Sequence, residues 1–234
     1  MSRAASPDEP APPSARLLQL REAAPRPREP RVFNQRRAQE TYAALLRAAT
    51  QVFQDVGFEA AQSTDIALAA KVSVGTFYRY FSDKRQAFIE VIQQHLDEMD
   101  ERVIARLTAE LFGAGRGPEN RAAAVEVTLK VLFEQAARHP ALQRVFFAMS
   151  LRDPEVAQIR AAFEQRTRSA LTLIIREIVP EDRVPDAAAA AAVIQAAAEG
   201  VAFSLACEAS EAQSAALREA LGTMITRYLF AEAK

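Results

Sequence analysis

The stretch VSVGTFYRYFSDK, Val72 to Lys84, sets four aromatic rings within five residues and follows them at once with Ser82, Asp83 and Lys84. A core segment hides its charges, and a solvated surface does not spend rings at that density. Small residues, hydroxyls, tyrosines and basic ends all lie within a few helical turns. Ser73 is a natural N-cap for a short helix over Val74–Tyr80. On a helical wheel begun at Val74, Phe77 and Phe81 fall beside it and make the inward face. Gly75, Thr76 and Arg79 point away, with Tyr78 and Tyr80 at the two borders.

The flanking sequence supplies partners for that helix. From Asn34, an apolar stripe through Tyr42, Leu45, Leu46, Ala49, Val52, Phe53 and Val56 repeats at three- and four-residue steps and predicts a long helix. Asn34 is placed to cap its start and Gly57 to end it. STDIALAA predicts a second short helix capped by Ser63 or Thr64, and the turn after it is too short for anything else. Ser82 and Asp83 interrupt the chain and cap a fourth helix striped by Phe88, Val91, Ile92, His95, Leu96, Met99, Val103, Leu107 and Leu111. Two short helices joined by a tight turn and packed on a longer one describe a helix-turn-helix.

The outward face of the second short helix suits a DNA groove. Gly75 admits close backbone approach, and Thr76 offers a hydroxyl and a methyl that can meet thymine. Arg79 can bond a guanine edge or a phosphate, and Tyr78 and Tyr80 can donate to phosphate oxygens. Lys84 opens a helix, where a cation opposes the helix dipole, and a phosphate would explain that placement. Thr64 is similarly placed for a backbone contact. The same spacing also fits an aromatic knot inside an ordinary helical bundle.

STDIALAAKVSVGTFYRYFSDKRQAFIEVI resembles the DNA-binding signature of the TetR family of bacterial regulators, over about residues 36–92. The resemblance implies an all-α fold. Three N-terminal helices carry the helix-turn-helix, and a larger helical domain dimerises and binds a small effector. It implies that Thr64, Ser73, Val74, Gly75, Thr76, Tyr78, Arg79, Tyr80 and Lys84 occupy DNA-contacting positions on double-stranded DNA. Two positions depart from the family pattern. Lys71 stands where glycine is usual and must accept a turn conformation that glycine adopts more cheaply. Gln62 stands where a threonine cap is usual.

The expected organisation is a Pro- and Arg-rich arm over 1–30, a DNA-binding domain over 31–83 and an effector-binding and dimerisation domain over 84–234. The arm holds seven of the twelve prolines, which preclude a long helix. It reads equally as a solubilising tail or as a DNA-tracking arm ending in Arg26, Arg28, Arg31, Arg36 and Arg37. Residues 1–85 carry 13 Lys+Arg against 9 Asp+Glu, so only the front half is basic and suited to a polyanion. Beyond the break GAGRGP, helices are expected near 119–138, 140–150, 154–178, 186–208 and 211–231, with Pro140 and Pro154 in first-turn positions.

The last two of these are expected to form a homodimer interface; a monomeric core using the same faces is the alternative. Gly200 permits close helix approach, and Leu217, Leu221, Met224, Ile225 and Tyr228 stripe the final helix. Residues 187–207 are long enough to span a bilayer, but Gln195 and Glu199 interrupt them and basic flanks are missing, so a buried helix of a soluble protein is expected. An effector pocket, apolar or amphipathic in preference, is expected among His95, Met99, Phe133, Phe146, Met149, Phe163, Thr167 and Gln195; each also reads as an ordinary core residue.

Other functions find little support. Cys207 is the single cysteine, so no intrachain disulfide forms and a reducing, cytoplasmic setting is expected. No secretory signal pattern is expected in the proline-rich start. His95 and His139 lack paired carboxylates, GAGRG follows no strand, and no metal constellation, cofactor motif or catalytic set is evident. A helical small-molecule-binding protein without DNA-binding function is the rival reading.

Overall fold

The computed structural model describes residues 35–113, 118–207 and 211–230, which form helices without any strand among them. Asn34 and the arm over 1–30 lie outside the described residues.

The first helix, α1 (Arg36–Ala60), does not stop at Gly57 as expected. Gly57 breaks it internally at φ 75° and ψ 177°, and the chain then resumes helical geometry. That conformation favours glycine. A Cβ there would meet nothing within 4 Å, so the requirement is conformational and not steric. The second helix, α2 (Ser63–Ala69), is preceded by Gln62 as its N-cap, not by Ser63 or Thr64. The Asp65 carboxylate accepts from the Gln62 backbone N–H at 3.0 Å, the reciprocal half of a capping box.

The turn after α2 closes with Val72 N–H donating to Ala67 O and Lys71 N–H to Leu68 O, both at 3.0 Å. This is a Schellman closure, and it forces Lys71 to φ 55°. The expected strain at Lys71 is therefore real. Then comes α3 (Val74–Tyr80), capped by Ser73, whose Oγ accepts from Thr76 N at 3.1 Å. Asp83 Oδ1 accepts from Gln86 N at 2.7 Å and caps α4 (Lys84–Gly113).

The remaining helices are α5 (Pro118–Ala136), α6 (Pro140–Ser150), α7 (Pro154–Ile178), α8 (Ala187–Cys207) and α9 (Glu211–Phe230). Pro140 and Pro154 sit in the first turns of α6 and α7. Asp153 caps α7, accepting from Glu155 N and Val156 N. In the α7–α8 loop Arg183 reaches the last carbonyls of α9, donating to Arg227 O at 2.9 Å and Leu229 O at 3.2 Å.

Two main clusters hold the helices together. One packs Phe53, Phe77, Phe81 and Phe88 from the helix-turn-helix and α4, and it continues without a break into Leu142, Met149, Val156 and Ile159 on α6 and α7. The other joins α5, the end of α7, α8 and α9. The buried face of α9 is Leu221, Ile225 and Leu229, whereas Leu217, Met224 and Tyr228 of its expected stripe are exposed. Helix α8 is long and apolar enough to cross a membrane, over Ala187–Leu205. Ala190, Ala191, Ile194 and Ala198 of this helix pack inward, and Val193 on the opposite side is 62% exposed.

Candidate nucleic-acid interface and effector cavity

At 100° per residue, Val74, Tyr78, Gly75 and Arg79 fall on one continuous arc of about 140° around α3. All four are exposed. Phe77 and Tyr80 close the opposite side, buried at 0% and 8% exposure. The wheel drawn from sequence alone is therefore rotated. It placed Val74 inward and Tyr80 at the border; the structure exposes Val74 and buries Tyr80, whose ring lies 6.2 Å from that of Tyr42. The error came from Phe81. It is not on the helix but in an extended C-cap conformation, φ −130° and ψ 138°, and it turns back to stack with Tyr42 at 5.7 Å.

Thr76 is half-buried, and its hydroxyl lies 2.9 Å from Ser73 Oγ. Thr64 and Ser73 are exposed. A Cβ on Gly75 would meet only Ser73 Oγ, at 3.8 Å, so nothing inside the protein demands glycine there.

Lys84 needs a larger correction. Its ammonium donates to the carbonyls of Phe58 at 3.0 Å, Glu59 at 2.9 Å and Ala61 at 2.8 Å, and it sits 5.0 Å from the Phe58 ring centroid. All three of its N–H donors are engaged. The cation at the start of α4 is explained by the orphan carbonyls at the end of α1, and a phosphate is not required. Lys71 is exposed in the turn between α2 and α3.

A cavity of about 550 Å³ lies among α4 to α9. Of the expected pocket residues, His95, Met99, Phe146, Phe163, Thr167 and Gln195 line it. Phe133 and Met149 do not; they are 2% and 8% exposed and fill the two packed clusters instead. Periodicity marks a residue as inward-facing but does not tell a packed interior from the wall of a void. Sequence reading also missed Arg160 and Glu164, both lining residues; Glu199, which with Gln195 interrupts the alanine run of α8 and reads as a pocket polar group, lines the cavity as well. A charged residue at helical spacing reads as a solvated face, and only the packing reveals otherwise.

The polar lining has unusual features. His95 Nε2, Thr167 Oγ1 and Gln195 Oε1 are buried without a hydrogen-bond partner among the described residues. Burial, reinforced by the neighbouring His139, pushes the His95 imidazole down to about 4, so it is neutral at neutral pH. The His95 ring meets His139 edge-on at 5.7 Å, and His139 Nδ1 lies 2.6 Å from Gln54 Nε2 on α1. One wall of the cavity thus touches the helix that backs the helix-turn-helix. Among the described residues no group of His, Cys, Asp or Glu side chains could hold a metal ion.

Comparison with known proteins agrees with this architecture. A family model described as bacterial regulatory proteins of the tetR family matches residues 45–91. A second, described as the tetracyclin repressor-like C-terminal domain, matches residues 121–229. The HTH-type transcriptional regulator BetI of Stenotrophomonas maltophilia (strain R551-3) is 30% identical over 160 residues, covering 67% of this chain and 76% of the relative. The HTH-type transcriptional activator FasR of Mycolicibacterium smegmatis is 30% identical over 134 residues, covering 57% of this chain and 58% of the relative. A transcriptional regulator from Rhodococcus sp. Rha1 shares the fold with a TM-score of 0.65 at 22% identity, covering 82% of this chain and 99% of its own. The chain belongs to the tetR family of bacterial regulatory proteins: it is a transcriptional regulator with a helix-turn-helix DNA-binding domain and an all-α fold.

Proposed function

We propose that the protein is a cytoplasmic, effector-released repressor that binds a near-palindromic operator as a homodimer. The observation that carries this is the exposed arc of Val74, Gly75, Tyr78 and Arg79 on a helix held from behind by Phe77, Tyr80 and Phe81. Placed in the major groove, Arg79 reads a base edge or a phosphate, Tyr78 donates to phosphate, and Gly75 brings the backbone close. Thr64 and Ser73 contact the flanking backbone, joined by Lys71.

Dimerisation through α8 and α9 is supported by what they leave open. Ala189, Val193, Ala196, Gly200 and Phe203 are exposed at alternating four- and three-residue steps on α8. Leu217, Met224 and Tyr228 are exposed on α9. A Cβ on Gly200 would meet nothing within 4 Å in its own chain. Two such faces, one from each protomer, make a four-helix bundle. Two recognition helices about 34–36 Å apart then enter successive major grooves.

The cavity is the effector site. An occupant that favours one arrangement of the α4, α6 and α7 wall shifts the spacing of the recognition helices, provided it binds the two states with different affinity. Contact of His95 with His139, and of His139 with Gln54, gives that wall a direct hold on α1.

The test is selection of bound sequences from random duplex DNA, followed by titration of Arg79→Ala on the selected site. Relaxed preference at one base pair, with a loss of about 1–3 kcal/mol, supports base reading. A purified wild-type dimer that selects no sequence at low ionic strength would overturn the proposal.

A further inference from the structure

The polar corner of the cavity has a defined chemistry. Gln195, on α8, is 4% exposed. Its Nε2 donates to Glu199 Oε1 at 2.8 Å, one turn on, and to the Glu164 backbone carbonyl of α7 at 3.1 Å. Both partners are acceptors, so the amide is fixed: exchanging its oxygen and nitrogen would set oxygen against oxygen. Gln195 Oε1 is left buried and unpartnered among the described residues. It can be satisfied only by a donor. Thr167 Oγ1, about one turn from Glu164 on α7, is also unpartnered.

The charges point the same way. Arg160 is engaged with Glu164 at 2.7 Å and lies over the Phe147 ring at 4.8 Å. Asp100 faces Arg166 at 3.8 Å. Glu199 has no ion-pair partner among the described residues, and burial pushes its carboxyl up, with Glu164 adding to the shift. Gln195 and the arginines 160 and 168 oppose that shift. One half-buried carboxylate and one buried amide oxygen therefore stand together, each short of a donor, at the edge of a predominantly apolar chamber lined by Met99, Phe146 and Phe163.

We propose that the effector is an apolar molecule ending in a protonated amine, whose N–H groups donate to Gln195 Oε1 and Glu199. The inference rests on the reading of this cavity as the effector site, and it names what that site selects. A carboxylate ligand would face Glu199 with like charge and leave Gln195 Oε1 unsatisfied. A quaternary ammonium would supply charge without an N–H. An alcohol would supply a donor without charge.

The experiment compares decylamine, 1-decanol, decanoate and decyltrimethylammonium by calorimetric titration of the full chain at pH 7. Decylamine is expected to bind about tenfold more tightly than decanol or the quaternary ion, with decanoate weakest. Glu199→Gln is expected to erase the advantage of the amine over decanol. Gln195→Leu is expected to weaken both, with circular dichroism confirming the fold. Decanoate binding as tightly as decylamine, an amine advantage that survives Glu199→Gln, or no binding by any of the four would each overturn the inference. Release of the selected DNA separates this from the regulatory reading. Amine binding of the expected pattern without DNA release defeats the effector reading and leaves the selectivity intact. Decanoate that binds best and releases DNA does the reverse.

Discussion

Arg85 and Asp153 are locked together by two parallel hydrogen bonds, Nε to Oδ2 at 2.5 Å and Nη2 to Oδ1 at 2.7 Å. Arg85 is the second residue of α4, just beyond the recognition helix; Asp153 is the N-cap of α7, which lines the cavity. A third charge, Glu155, approaches Arg85 at 3.0 Å.

Asp153 both caps and pairs, and two substitutions separate the roles. Asn remains a good cap but carries no charge, so Asp153→Asn is expected to cost at most about 1 kcal/mol, because the Arg85 side chain is 42% exposed and the pair is screened. Asp153→Ala also removes the cap and is expected to cost about 1 kcal/mol more. Chemical denaturation measures both. Arg85 chiefly holds the Asp153 carboxyl below its ordinary 3.8, against burial, which acts the other way. The pair's stabilisation is therefore complete above about pH 4 and fades as pH falls through the depressed folded value. Asp153→Asn should flatten that acid limb.

Lys84→Met tests the cap at the end of α1. With three carbonyls abandoned, the expected loss is about 2–3 kcal/mol of stability. The dependence of DNA affinity on salt should keep the wild-type slope at temperatures where the variant is folded. A slope reduced by about one, with unchanged thermal stability, would return Lys84 to the phosphate contacts.

His95 gives a pH dependence with a known sign. Below pH 6.5 the unfolded chain takes up a proton that the folded protein, with its imidazole at about 4, refuses. Stability from this group is therefore lost as pH falls from 6.5 towards 4, by about 2 kcal/mol between pH 7 and pH 5. His139 and Arg102 reinforce the depression, and Glu98 opposes it. His95→Leu should remove this part of the slope in urea titrations at the two pH values.

Val193→Glu places a charge at the centre of the open face of α8. Light scattering should report a monomer while circular dichroism stays unchanged, and affinity for a two-half-site DNA should fall. A variant that remains dimeric would move the interface elsewhere.

Most helix ends were legible because the chain marks them: Ser73 and Asp83 as caps, Pro140 and Pro154 in first turns. Gly57 misled because a glycine with positive φ at a helix end and one at an internal break look alike in sequence. The packing of Tyr80 and Lys84 was not legible because their partners come from α1 and its C-cap, through Tyr42 and through the carbonyls of Phe58, Glu59 and Ala61. The Arg85–Asp153 clamp joins residues 68 positions apart, and no local pattern announces it. The cavity was half legible. Side-chain type suggested Thr167 and Gln195, but that the amide of Gln195 is oriented by Glu164 and Glu199 depends on how α7 lies against α8.

The unbroken packing from Phe77 through Phe88 to Leu142 and Val156 has a mechanical corollary. The packed unit that carries the helix-turn-helix extends beyond the first three helices and includes α6 along its length and the leading turns of α7. The chamber lies along the seam between the two clusters, lined by Ile92 and Leu142 from one and by Leu129 and Ile175 from the other. Under the proposed mechanism, an occupant of that seam is a wedge at the fulcrum, with the packed head as its lever arm.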